Sequence, residues 1–224
     1  MSTQATEPSR PKSSLKERKK QLYREVILDA AESVFAEQGY DSAQVTHIAK
    51  SAGVSLTTLY RVLPSKWEIY RAVNQRRLDE LTTQAQGIVG GGKNSLETLL
   101  AGIRMQLTFL IHHKEYTRMQ LKDVASWSTL GAQRTPEQVD GLRLGLSLFA
   151  SLFRRTISDG FLVDADPEFM ARMVVATQQV RLGLWFERDC DASADELLSG
   201  VMTQLLRSWA RPERLEELLA GVRC

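Results

Sequence analysis

The chain has 224 residues, 43% of them hydrophobic and 25% charged, with a formal net charge of +2. That is the composition of an ordinary globular protein of one large or two small domains. No apolar run approaches the roughly 20 residues that a membrane span needs, and two cysteines, Cys190 and Cys224, are too few for a disulfide framework.

Residues 1–15 are rich in Ser, Thr, Pro and charge and read as a disordered arm. They hold no apolar secretion signal, so a cytoplasmic protein is expected. Residues 1–77 carry a net +5 and the remainder a net −3. A basic front on a mildly acidic body suits a nucleic-acid contact confined to one end.

From there the pattern is helical throughout, with no sustained alternation to suggest strands. The first helix, about Lys16 to Gln38, carries Ile27, Ala30, Ala31, Val34 and Phe35 on one stripe and stops at Gly39. A short helix follows, about Ala43 to Ser51, with Ser42 as its N-cap, and Gly53 breaks it. Ser55 caps a third helix, about Leu56 to Leu63, which Pro64 ends. Ser65-Lys66-Trp67-Glu68 forms a capping-box pattern opening a fourth, to about Ile88.

Two short helices with Gly in the turn between them form a helix-turn-helix pattern. Val45, Ile48, Val54 and Leu59 are expected to point inward, leaving Leu56, Thr57, Thr58, Arg61 and Val62 outward, on a helix that fits the major groove. Tyr60 and Lys66 flank that face and suit phosphate oxygens. The rival reading is a helical hairpin that only packs.

Gly87-Ile88-Val89-Gly90-Gly91-Gly92-Lys93 fits the start of a phosphate-binding loop, but Asn94 stands where Ser or Thr would hold Mg²⁺ and no strand precedes it. It reads as a glycine hinge. The next helices run from about Ser95 to His112 and from Lys114 to about Trp127. Thr135-Pro136-Glu137-Gln138 opens another, apolar nearly all round (Leu142, Leu144, Leu146, Leu148, Phe149, Leu152, Phe153) and therefore expected to be central and buried, ending near Gly160. Asp166-Pro167 starts one reaching about Arg188. Ser193 to Glu196 is a capping box for one reaching about Trp209, and Pro212 to Val222 adds a tail.

No H-E-x-x-H, C-x-x-C or G-x-S-x-G motif is present, and adjacent His112 and His113 point apart on a helix end, so no catalytic centre, metal or cofactor is expected. Cys190 sits among Glu187, Asp189 and Asp191 and reads as a free thiol more readily than as a redox sensor.

Several strings now fall together: Ile27-Leu28-Asp29-Ala30-Ala31 with Phe35, Gly39-Tyr40, Ile48-Ala49 with Ala52-Gly53-Val54-Ser55, Thr58-Leu59-Tyr60-Arg61, Ser65-Lys66 and Ala72-Val73. In order and spacing, residues 21–81 resemble the DNA-binding domain of the tetracycline-repressor (TetR) family. Val62-Leu63 departs from it where an aromatic pair is frequent. The resemblance implies an all-α chain: a disordered arm (1–15), a three-helix helix-turn-helix domain (16–81) and a helical effector-binding and dimerisation domain (82–224). It implies phosphate contacts from Tyr60 and Lys66, and base contacts from Leu56, Thr57 and Arg61 with Gln44 and Thr46 of the second helix. It further implies a homodimer on a palindromic double-stranded DNA operator, acting as a repressor released by an unidentified small effector.

For the effector, an apolar or aromatic molecule is expected among Met105, Phe109, His112, Tyr116, Met119, Trp127, Phe149 and Phe153, with Arg181 reaching in, although pockets and cores use the same residue types. For the dimer, Met173, Val180 and Leu184 are expected at the two-fold axis with Leu198, Val201, Met202 and Leu205. The alternative is that both stripes are intramolecular core.

Overall fold

The structure, a computed structural model, describes residues 15–87, 92–132 and 134–222. The arm up to residue 14, the centre of the expected glycine hinge (residues 88–91) and Cys224 lie outside these residues.

Among the described residues, ten α-helices follow one another: α1 Leu15–Ser42, α2 Val45–Ser51, α3 Leu56–Val62, α4 Lys66–Gln86, α5 Ser95–His112, α6 Lys114–Asp123, α7 Pro136–Ser158, α8 Pro167–Glu187, α9 Ala194–Trp209 and α10 Leu215–Val222. Among the described residues, the strand-like pairing is one bridge between Leu162 and Ala210. The all-α expectation holds, and most starts follow from local chemistry. Thr135 and Gln138 make a complete capping box on α7, as do Ser193 and Glu196 on α9.

Several boundaries differ from the sequence reading. α2 begins at Val45 with Gln44 as an N-cap whose side chain makes no capping bond, so Ser42 is not the cap. α4 has half of its capping box. Ser65 accepts from the Glu68 amide, but the Glu68 carboxylate turns to Arg71, 3.4 Å away. α6 ends at Asp123, before Trp127. α7 is not buried all round, because Leu144 and Leu148 are exposed on one side.

Two hydrophobic cores result. One joins Ile27, Leu28, Ala31, Val34 and Phe35 of α1 to Ile48, Leu59, Ile69, Tyr70 and Val73, and it also takes in Met119 from α6. The other is built from α5, α7, α8, α9 and α10, around Leu99, Ile103, Leu107, Phe153, Leu182 and Leu206. α1 therefore rests on α6, whose Asp123 carboxylate accepts the Tyr40 amide at 2.9 Å and whose Lys122 donates to the Glu37 carbonyl. Buried Glu32 fastens α4 across α1, receiving Arg76 at 3.0 Å and Arg77 at 2.7 Å.

Candidate nucleic-acid interface and internal cavity

The α2–α3 unit is set by its turn. Gly53 has φ +66, in the left-handed region that glycine enters without cost. There the Gly53 amide bonds the Lys50 carbonyl (3.1 Å) and the Val54 amide the Ala49 carbonyl (3.0 Å), the paired closure of a Schellman motif. Ser55 then caps α3 by accepting from the Thr58 amide at 3.1 Å, and its hydroxyl also donates to the Thr58 hydroxyl. Ile48 and Leu59 are fully buried at the crossing, while Val45 and Val54 are half-buried against the same core.

The crossing leaves Leu56, Thr57, Tyr60 and Arg61 exposed along α3. Two residues expected outward are not. Thr58 is half-buried and tied to Ser55, and Val62 packs against the core, as its place three residues after buried Leu59 requires. Gln44 and Thr46 are exposed at the start of α2 and share a shallow cleft with Gln38, His47 and Lys50. Gln38 and His47 are joined there at 2.8 Å. Lys50 escaped the sequence reading, although four residues beyond Thr46 on a helix it had to share that side.

Lys66 is drawn inward. Its ammonium donates to the Asp41 (3.1 Å) and Ala43 (3.0 Å) carbonyls and stands 4.8 Å from the centre of the Tyr40 ring. A cation in the first turn of a helix opposes the helix dipole, and these carbonyls and the ring offset that cost. Two of three ammonium protons are used inside the protein, which leaves one for an outside acceptor. Arg134 also stands over the Tyr40 ring, 5.1 Å from its centre, and pairs with Asp41 at 3.3 Å. The residues just before α7 are thereby fixed to the α1–α2 junction.

Behind this head lies a cavity of about 130 Å³ between α4, α5, α6 and α7. Of the nine residues expected around an effector, Phe109, Tyr116 and Trp127 line this cavity. The other six expected residues do not. Met119 is in the core under the helix-turn-helix, and Phe149 and Phe153 are in the rear core. His112 is exposed, with its ring on the Thr108 carbonyl, and Met105 is half-buried away from the cavity. Arg181 lies on the outer face, bonded to Gln204 at 3.0 Å.

Polar residues that the sequence reading passed over complete the wall: Asn74, Arg77, Gln106, Gln120, Glu137 and Gln138. Three form a buried ladder. Gln120 donates to Asn74 at 2.7 Å, and Gln138 donates to Gln120 at 2.8 Å and to the Tyr70 hydroxyl at 3.4 Å. Burial and the charge of Asp123 push the Tyr70 phenol far up, so it stays protonated. A signal did exist: Asn74 sits on the stripe Tyr70, Asn74, Leu78, Leu81, where an apolar residue is the norm.

At the rear, Phe169, Met173, Val180 and Leu184 stand exposed on one stripe of α8. The expected partners on α9 are elsewhere. Leu198, Val201, Met202 and Leu205 are buried within their own protomer, because α9 spends its apolar side on α5 and α8. Its outward side is Ser199, Thr203, Gln204 and Arg207, with Gly200 admitting the Arg181 guanidinium.

Residues 27–73 match the family model "Bacterial regulatory proteins, tetR family". Among curated proteins, the chain is 34% identical over 93 residues to the transcriptional activator FasR of Mycolicibacterium smegmatis, covering 42% of each chain. It is 30% identical over 102 residues to the uncharacterised regulator YuxN of Bacillus subtilis, covering 44% of this chain and 34% of that one. The chain thus matches less than half the length of these relatives. Among solved structures, the ketosteroid transcriptional regulator KstR2 of Mycobacterium tuberculosis superposes with TM-score 0.71 at 22% identity, over 84% of this chain and 95% of that one. A gamma-butyrolactone receptor does so with TM-score 0.73 at 18% identity, over 92% and 96%.

Proposed function

We propose that this protein, whose residues 27–73 match the model of the tetR family of bacterial regulatory proteins, is a ligand-responsive transcriptional regulator. It binds a palindromic operator as a homodimer in the cytoplasm and represses until a small effector fills the internal cavity. The observation carrying this reading is the exposed row Leu56, Thr57, Tyr60 and Arg61 on a helix whose other side packs on the core through Leu59 and Val62. Thr57 and Arg61, with Gln44 and Thr46, face base edges, while Tyr60, Lys50 and the remaining proton of Lys66 meet phosphates.

The dimer forms through the α8 stripe and the polar outer residues of α9, not through the buried leucines of α9. Coupling runs through α7. Its start touches Tyr40 and Asp41 through Arg134, and α4 through Glu137 and Gln138. An effector that shifts this point moves the head. It acts only so far as it binds the DNA-free arrangement more tightly than the DNA-bound one.

Fluorescence anisotropy with DNA from upstream of the protein's own gene tests the reading. Affinity should fall steeply with salt. Arg61→Ala should cost about 1–3 kcal/mol and relax preference at one base position, whereas Lys50→Ala should weaken all sequences alike. Absence of binding at low salt overturns the proposal, and a reporter fused to the bound promoter reads the sign of regulation.

A further inference from the structure

Lys66, the phosphate anchor of the proposed regulator, has a carboxylate beside it. Asp41 holds the Lys66 ammonium through its backbone carbonyl at 3.1 Å, so its side chain starts one residue's reach from the same ammonium. That side chain is 79% exposed. A carboxylate so close to a phosphate site repels the phosphate that the lysine attracts, and like charges a few ångströms apart oppose each other even in water.

One residue from outside the helix-turn-helix cancels that charge. Arg134, in the turn before α7, places Nη1 and Nη2 each 3.3 Å from Asp41, one on Oδ1 and the other on Oδ2. This is the forked pairing that a planar guanidinium makes and an ammonium does not. Its aim is fixed from behind. The Arg134 backbone amide donates to Gln138 Oε1 at 2.9 Å, and Gln138 is itself bonded to Gln120 at 2.8 Å. The guanidinium stands over the Tyr40 ring, 5.1 Å from its centre, and its Nε is buried. A second carboxylate at this junction, Asp123, does not face the anchor in the same way. Its Oδ1 accepts the Tyr40 amide and its Oδ2 is buried. Asp41 is therefore the carboxylate that an incoming phosphate meets.

An exposed ion pair of this kind adds little to folding. What it changes is the charge at the anchor. Lys66, Arg134 and Asp41 together carry one net positive charge, and without Arg134 they carry none.

We propose that Arg134 is a positioning residue for DNA binding, masking Asp41 so that Lys66 can take a phosphate. The proposal rests on the regulator reading, in which Lys66 meets the DNA backbone. Phosphate contacts carry no sequence information, so the mask changes affinity for every sequence by the same factor.

The test follows the full chain by fluorescence anisotropy at low salt with two duplexes, one from upstream of the protein's own gene and one of random sequence. Arg134→Ala should weaken both at least about fivefold, the worth of one charge contact in water. Asp41→Asn alone should bind at least as tightly as the wild type. The double variant, Arg134→Ala with Asp41→Asn, should return both duplexes to within about twofold of the wild type, although the bridge from the α7 side to the head stays broken. That rescue separates masking from bracing. If Arg134 only braced the α1–α2 junction, or met a phosphate itself, the double variant would stay as weak as Arg134→Ala, and the proposal is overturned. It is overturned equally if Arg134→Ala binds like the wild type, or loses affinity for the upstream duplex alone. Circular dichroism checks that the variants fold, and Arg134→Gln, which removes the charge but keeps a polar side chain, repeats the series. A wild-type chain with no DNA affinity removes the regulator reading and the role of Arg134 together. Binding by the wild type without rescue in the double variant removes the role of Arg134 alone.

Discussion

At the scale of single residues, Glu32 carries the heaviest electrostatic duty. It is 3% exposed, and its two oxygens take guanidinium protons from Arg76 and Arg77. Removing one partner of a buried pair leaves uncompensated charge and costs about 3–5 kcal/mol. Glu32→Gln should therefore lower the urea midpoint by an amount equivalent to about 3 kcal/mol. Glu25→Gln, at the exposed rim where the Arg76 distance is 3.5 Å, should cost less than about 1 kcal/mol. Equal effects would show that the burial of Glu32 does not set its worth. Nothing in the sequence distinguishes Glu32 from Glu25 or Asp29, since all three lie on α1 within reach of α4 at spacings of three or four. Only the three-dimensional crossing decides which carboxylate is covered. Lys66 shows the same limit. Its position just after α3 is legible, but the inward turn of its ammonium depends on where the Asp41 and Ala43 carbonyls come to rest.

At the scale of elements, the starts of helices were legible because a cap is local. Ser55, Asn94, Thr135, Asp166 and Ser193 all accept the capping bond that their positions imply. Allocation of faces was not, because an apolar stripe records that a side is covered without saying by what. The stripe of α9 is used inside the protomer, and that of α8 is left exposed, although the two read alike in sequence.

The α5–α6 junction yields a pH dependence. His113 ends α5 and begins α6, its ring 4.3 Å from that of Phe109 and 3.6 Å from the Glu80 carboxylate. Burial lowers its pKa below the ordinary 6.5, and Arg77 lowers it further against the opposing pull of Glu80 and Glu32. The unfolded chain therefore takes this proton first as pH falls. Its contribution is complete above pH 6.5 and is lost as pH drops through the depressed folded value. Urea midpoints should fall between pH 7 and pH 5.5, and His113→Gln should flatten that slope. An unchanged slope would assign the dependence to other groups.

At the scale of the whole molecule, the exposed α8 stripe asks for a second copy. Phe169, Met173, Val180 and Leu184, with half-buried Ala176 between, follow steps of 4, 3, 4 and 4 residues, the spacing of a helix–helix seam. Val180 is 62% exposed in the isolated protomer. If two copies meet on this seam across a two-fold axis, each Val180 faces the same surface on its partner, and the two DNA-binding heads are fixed at one separation. Half-sites spaced by about 34–36 Å demand that. Val180→Glu then buries an unpaired carboxylate on both sides of the axis. The cost is about 3 kcal/mol or more, roughly a hundredfold in the dimer constant. Light scattering at micromolar concentration should show a monomer with unchanged helix content, and operator affinity should fall with it, because each head must then bind alone. Leu198→Ala should act differently. It empties space within one protomer's core, lowering stability by about 2–5 kcal/mol while the surviving folded protein stays dimeric. A Val180→Glu variant that remains dimeric would move the two-fold axis to another face, and the exposed pair Leu144 and Leu148 on α7 would be the next seam to cut.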